Sequence, residues 1–168
     1  MATALRADAQ RNLDRLLEAA GQCFAEQGID CSVDEIARRA GVGHGTVFRR
    51  FPTKEALLVA VIVRRIEALT AAAEQAAEAA DVEAAFTRFV RTAGEAYARD
   101  RALVEGIDHC VDRPELAALI AAVDRLALRA HRAGVLRLEL GGEDVLRLVP
   151  TASLYPQVVL DGLRPQTS

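Results

Sequence analysis

The sequence has no tryptophan, two tyrosines, one methionine and a single lysine, at position 54. With aromatics at 4% of the chain, a cage for large aromatic cations is disfavoured, and any cavity is expected to be mainly aliphatic. The three cysteines, Cys23, Cys31 and Cys110, are odd in number and lack CxxC spacing. They predict buried, inert thiols rather than a disulfide framework or a zinc site. No apolar run approaches the ~20 residues of a membrane span. The N-terminal stretch MATALRADAQRNLDRLLEAA is charged throughout and lacks the apolar core of a secretory signal. The expectation is a cytoplasmic protein without a membrane partner. His44, His109 and His131 lie far apart, and Asp112 near His109 is the nearest approach to a catalytic dyad. There is no nucleophile elbow, phosphate-binding glycine loop or metal motif, so no catalytic residue, metal or cofactor is expected.

No alternating strand pattern and no internal repeat appear, and the fold class read from the sequence is all-α. Net charge is −3, which by itself disfavours nucleic acid. Distribution decides otherwise. Between Ser32 and Lys54 five bases (Arg38, Arg39, Arg49, Arg50, Lys54) face two acids, Asp34 and Glu35, for a local charge of +3, so the remainder carries −6. An acidic body with one basic face attracts phosphates at that face and limits indiscriminate adhesion elsewhere.

The same stretch, SVDEIARRAGVGHGTVFRRFPTK, spells two short helices about a glycine turn. Val33, Ile36, Ala37 and Ala40 fall on one helical stripe. Ser32 with Glu35 three residues later has the spacing of a capping box. Gly41 stands where a left-handed residue ends a helix, and Gly41-Val42-Gly43 forms the turn. A second helix is expected over 44–51, with Val47 and Phe51 on its inner side, stopped by Pro52. This is the layout of a helix-turn-helix, whose second helix enters the major groove of DNA.

Around this motif, a first helix is expected over 8–27, with Leu13, Leu16, Leu17, Ala20 and Phe24 as its stripe and Gly28 as its stop. The preceding residues, including Arg6, read either as a loose arm for a minor groove or as a disordered end. Thr53 caps a long helix to about residue 79, apolar on more than one face. Asp81 caps a fifth helix, a short one follows over 101–111, and Pro114 opens another ended by Gly134. Gly141-Gly142 break the chain before a helix with Glu143 and Asp144 at its start. Pro150 and Pro156 are expected to divide the tail into two pieces.

The N-terminal segment resembles the DNA-binding domain of the TetR (tetracycline-repressor-like) family of bacterial transcriptional regulators. The matching residues are Ala19-Ala20, Phe24, Gly28, Ser32-Val33, Ile36-Ala37 and Ala40-Gly41-Val42. They continue through Gly45-Thr46-Val47-Phe48, Phe51, Lys54 and Ala56-Leu57, covering about the first 60 residues. Two positions depart from the family: Phe48 replaces a frequent tyrosine and cannot bond a phosphate, and Gly43 replaces a frequent serine cap.

The resemblance implies a helix-turn-helix DNA-binding domain over residues 1–54 and a helical ligand-binding and dimerisation domain over 55–168. It implies DNA contacts at Thr46 (phosphate or base edge), at His44 (a base, with plain exposure as the alternative), at Arg49, Arg50 and Lys54 (phosphate), and at Arg38 and Arg39 (backbone phosphate). Phe48 is left to apolar contact with a sugar or a thymine methyl. Candidate lining for a ligand cavity is Phe86, Phe89, Tyr97, Ile107, His109, Cys110 and Leu126, for each of which plain core packing is the alternative. The long helix after Pro114 and the apolar tail suggest a subunit interface. The expected function is a homodimeric repressor released from a palindromic operator on double-stranded DNA by an unidentified small-molecule effector. An effector-independent regulator whose second domain only dimerises is the alternative, and a small helical enzyme is the poorly supported rival.

Overall fold

The computed structural model describes residues 2–100 and 114–165. Eight α-helices lie among them: α1 (Ala2–Gln27), α2 (Val33–Ala40), α3 (His44–Arg50), α4 (Lys54–Glu78), α5 (Val82–Arg99), α6 (Pro114–Arg132), α7 (Gly142–Ala152) and α8 (Pro156–Leu163). A 3-10 turn, Gly28–Asp30, follows α1. No strand occurs among the described residues, and none of their helices is long and apolar enough to cross a membrane. The expected short helix over 101–111 lies outside the described residues.

The local signals act where their chemistry requires. Ser32 Oγ accepts the Glu35 N–H at 3.2 Å, Thr53 Oγ1 that of Ala56 at 3.1 Å, and Asp81 Oδ1 that of Ala84 at 2.9 Å. Each satisfies a backbone donor that a helix start leaves without an intrahelical partner. Gly28, Gly41 and Gly134 adopt positive φ, the region where a side chain crowds the backbone.

Three expectations need correction. Helix α1 begins at Ala2 rather than Asp8, so the residues before Asp8 are helical and not a loose arm. The segment ATALRADAQ is rich in alanine and carries no glycine or proline to stop the helix. Pro150 does not divide the tail, because it sits inside α7, which continues to Ala152. The break comes at the turn 153–155, and Pro156 then opens α8, where its missing N–H costs nothing. Cys23 and Cys31 are not separate inert thiols: they are joined as a disulfide, with their Cα atoms 5.9 Å apart.

The described residues form two compact units, 2–64 with Asp100, and 65–99 with 114–165. In the first, Leu16, Ala20, Phe24, Ile36, Ala37, Val47, Leu57 and Val61 are buried. Helix α1 packs on α2, and α2 on α3. In the second, α7 packs on both α5 and α6, around Phe86, Phe89, Val90, Val123, Leu126, Val145 and Val149. The close approach of α7 depends on two glycines. A Cβ at Gly142 would stand 2.5 Å from Asp124 Oδ1 and 2.6 Å from Asp124 N; one at Gly94 would stand 3.0 Å from the backbone of Ala152 and Ser153. The Gly142 N–H donates to Asp124 Oδ1 at 2.8 Å, so a side chain of α6 caps the start of α7.

Candidate nucleic-acid interface

The stripe of α2 turns inward at Ile36, Ala37 and Ala40, with Val33 half-buried. Gly41, at φ 67° and ψ 32°, ends the helix. Its N–H donates to Arg38 O at 3.2 Å and the Val42 N–H to Ala37 O at 3.0 Å, a C-terminal turn that satisfies carbonyls α2 would otherwise leave open. Gly43 is extended and supplies no side-chain cap, as its replacement of serine predicts. Helix α3 ends at Arg50, one residue earlier than expected, with Phe51 extended and half-buried.

One buried side chain anchors α3. Val47 is 1% exposed, whereas His44, Gly45, Thr46, Phe48, Arg49 and Arg50 are all exposed. Seven residues with a single buried contact leave most of a helix face available to a partner. Thr46, Arg49 and Arg50 border a groove of 590 Å³ whose other wall carries Gln10, Asn12 and Leu13 of α1. Lys54 begins α4 and is half-buried.

The bases of the motif divide into two groups. Arg38 and Arg39 are paired with carboxylates of the protein, Arg38 at the surface and Arg39 half-buried. Arg38 donates through Nη2 to Glu35 Oε1 at 2.7 Å, and Arg39 through Nε to the same oxygen at 2.7 Å. Arg39 Nη1 also reaches Glu26 Oε2 on α1 at 2.7 Å. These hydrogen bonds from Arg38 and then Arg39 hold the Glu35 carboxyl below its ordinary range. The second arm of the expected capping box is therefore absent: the Glu35 carboxylate turns to the two guanidinium groups, not to the N–H of Ser32. Arg49, Arg50 and Lys54 form no ion pair among the described residues.

His44 is fixed by two neighbours. Its Nδ1 bonds Asp34 Oδ1 on α2, and its ring lies 4.5 Å from that of Phe48, centroid to centroid, tilted by 37°. Phe48 thus packs on a histidine one turn earlier and is still 39% exposed. Sequence reasoning missed Asp34, Glu26 and the Cys23–Cys31 link. The i, i+4 spacing of Glu35 and Arg39 was readable; the partnership with Glu26, thirteen positions away, was not.

In the second unit Phe86, Phe89 and Leu126 are buried, and Tyr97 is half-buried. Ile107, His109 and Cys110 lie outside the described residues.

Residues 16–61 match the family model of bacterial regulatory proteins of the tetR family. The TetR transcription regulatory protein of Mycobacterium vanbaalenii is similar over 96% of this chain and 99% of its own, at 38% identity and a TM-score of 0.78. The regulator SCO0520 of Streptomyces coelicolor is similar over 92% and 99%, at 29% identity and a TM-score of 0.64. The HTH-type transcriptional regulator SrpR of Pseudomonas putida is 39% identical over 66 residues, 39% of this chain and 31% of SrpR. The chain thus spans about a third of the length of the curated relative it matches here. With a solved relative alike from end to end and a family match across α2 and α3, the chain belongs to the TetR family of DNA-binding transcriptional regulators.

Proposed function

We propose that the protein is a homodimeric repressor that docks α3 of each subunit on a half-site of a palindromic operator and leaves it when a small molecule binds the second domain. The observation that carries the reading is α3 itself, exposed apart from Val47, with Arg49 and Arg50 free of ion pairs among the described residues. Arg49, Arg50 and Lys54 contact phosphates, and Thr46 and His44 contact phosphates or base edges. Arg38 and Arg39, occupied by Glu35 and Glu26, brace α2 and contribute to DNA through the local potential.

The DNA-binding domain is residues 1–54 and the ligand-binding and dimerisation domain 55–168. The compact N-terminal unit runs past that boundary to Arg64, so the first turns of α4 link the two domains; there Arg64 Nη1 donates to Asp14 O at 2.8 Å. Two copies are needed because one seven-residue helix reads too few base pairs, whereas a pair related by a twofold reads a palindrome. Leu128, Leu154, Tyr155 and Val158 are exposed at 49%, 73%, 61% and 68%, an apolar set on α6, the α7–α8 turn and α8 suited to a subunit interface. Phe86, Phe89, Tyr97 and Leu126 supply the aliphatic and aromatic wall from which an effector site is built. The effector acts by binding the released conformation more tightly than the DNA-bound one. Such a regulator works in the bacterial cytoplasm, where the DNA is.

The test is to pass sheared genomic DNA over the purified protein at moderate salt and sequence what is retained. An enriched palindrome is the expected result and identifies the regulated genes. Retention without any sequence preference overturns the reading.

A further inference from the structure

Cys23 and Cys31 lie on either side of the turn that feeds α2. Cys23 is one turn from the end of α1, and Cys31 immediately precedes Ser32, the residue that caps α2. Both are 0% exposed, and their Cα atoms are 5.9 Å apart, the usual separation across a disulfide. Between them Gly28, at φ 66°, reverses the chain into the 3-10 turn. The junction is also tied by the Arg39–Glu26 ion pair, which joins α2 to α1 independently of the sulfurs.

We propose that Cys23 and Cys31 are a reversible thiol–disulfide site, oxidised by hydroperoxides, whose closed form is the more heat-resistant form of the DNA-binding head. This rests on the proposed function in one respect: in the reducing cytoplasm the resting state is the dithiol, and a buried pair poised for closure is then a responsive site rather than a permanent link. Oxidation runs in two steps. When the turn between the cysteines opens to solvent, one thiol loses its proton and the thiolate attacks an oxygen of hydrogen peroxide; the O–O bond breaks, a sulfenic acid forms, and the departing hydroxide takes up that proton as water. The second thiol attacks that sulfur; the S–S bond forms, the S–O bond breaks, and the departing hydroxide takes the thiol proton as a second water. The two electrons lost by the sulfurs reduce the peroxide. A dithiol reductant reverses the reaction and is itself oxidised to a disulfide. Closure restrains the unfolded chain more than the folded one, which is why the oxidised head resists heat.

The whole site falls in one tryptic peptide, 16–38, because no Arg or Lys lies between Arg15 and Arg38. After treatment of the full-length protein with hydrogen peroxide and then iodoacetamide, that peptide should be two hydrogens light and unalkylated. Cleavage after Glu26 should leave its halves joined until dithiothreitol is added. The peroxide-treated protein should melt about 5 °C or more above the same protein held in dithiothreitol, and Cys31→Ala should abolish that difference. Comparing the two redox states of the wild type needs no variant to fold. Two alkylated cysteines after peroxide, or a disulfide with no gain in melting temperature, would overturn the proposal. Neither readout involves DNA, so failure of operator recognition leaves this result standing and is distinguished from it.

Discussion

Arg39 of α2 bonds Glu26 of α1 and Glu35 of its own helix at once, Nη1 to Oε2 and Nε to Oε1, each at 2.7 Å. A guanidinium presents its donors in a fixed planar fork, so one arginine can fix the two carboxylates in a single arrangement. Charge near a DNA-facing motif is thereby split between bases that build the head and bases left for a partner.

Arg50→Ala and Lys54→Ala should each weaken operator binding and reduce the slope of log affinity against log salt by about 1, the loss of one phosphate contact. Arg39→Ala should instead lower the melting temperature and leave that slope nearly unchanged. Titrations at several salt concentrations, beside thermal melts, separate the two groups. An unchanged slope in both Arg50→Ala and Lys54→Ala counts against their phosphate role.

Gly45 sits within exposed α3, and a Cβ there meets nothing within 4 Å. Gly45→Ala should therefore stabilise the protein by about 0.5–1 kcal/mol through helix propensity. The same methyl group on the reading face should reduce operator affinity. Melting and DNA titration of this variant are expected to move in opposite directions.

Gly142→Ala should destabilise by about 1–3 kcal/mol, since the new methyl overlaps Asp124 and the backbone of α6, which cannot move aside cheaply. Gly94→Ala, whose nearest contacts are looser at 3.0 Å, should cost less. Chemical denaturation of both variants checks the order.

Acid should loosen the head through Glu35. Its carboxyl lies below its ordinary value of 4.5 because Arg38 and Arg39 donate to it. A depressed carboxylate contributes stability that is fully present above the unfolded value and is lost as pH falls through the folded one. The melting temperature should thus fall on acidification below about pH 4.5, and less steeply in Glu35→Gln, which has no proton to take up there. Melts across this range test it.

What proved legible was local. Ser32, Thr53 and Asp81 cap through atoms three residues away, and Gly41 and Gly134 end helices by their own backbone freedom. The inward stripe of α2 follows from helical period alone. The rest depended on where distant residues meet. Counting cysteines could not pair Cys23 with Cys31, because the 3-10 turn between them sets that distance. Nor could charge counting show that Arg38 and Arg39 are occupied, since that choice belongs to Glu26 and Glu35. Pro150 misled because proline disfavours a helix without always ending it. In the second unit, periodicity marked Phe86, Phe89 and Leu126 as buried without distinguishing core from cavity wall.

Lys54, at the start of α4, carries the only side-chain amine in the molecule. Amine-directed acylation therefore reports on one address besides the chain terminus. If that ammonium rests on a phosphate when the operator is bound, DNA will shield it from the reagent, and the mass of one peptide records occupancy without any engineered label.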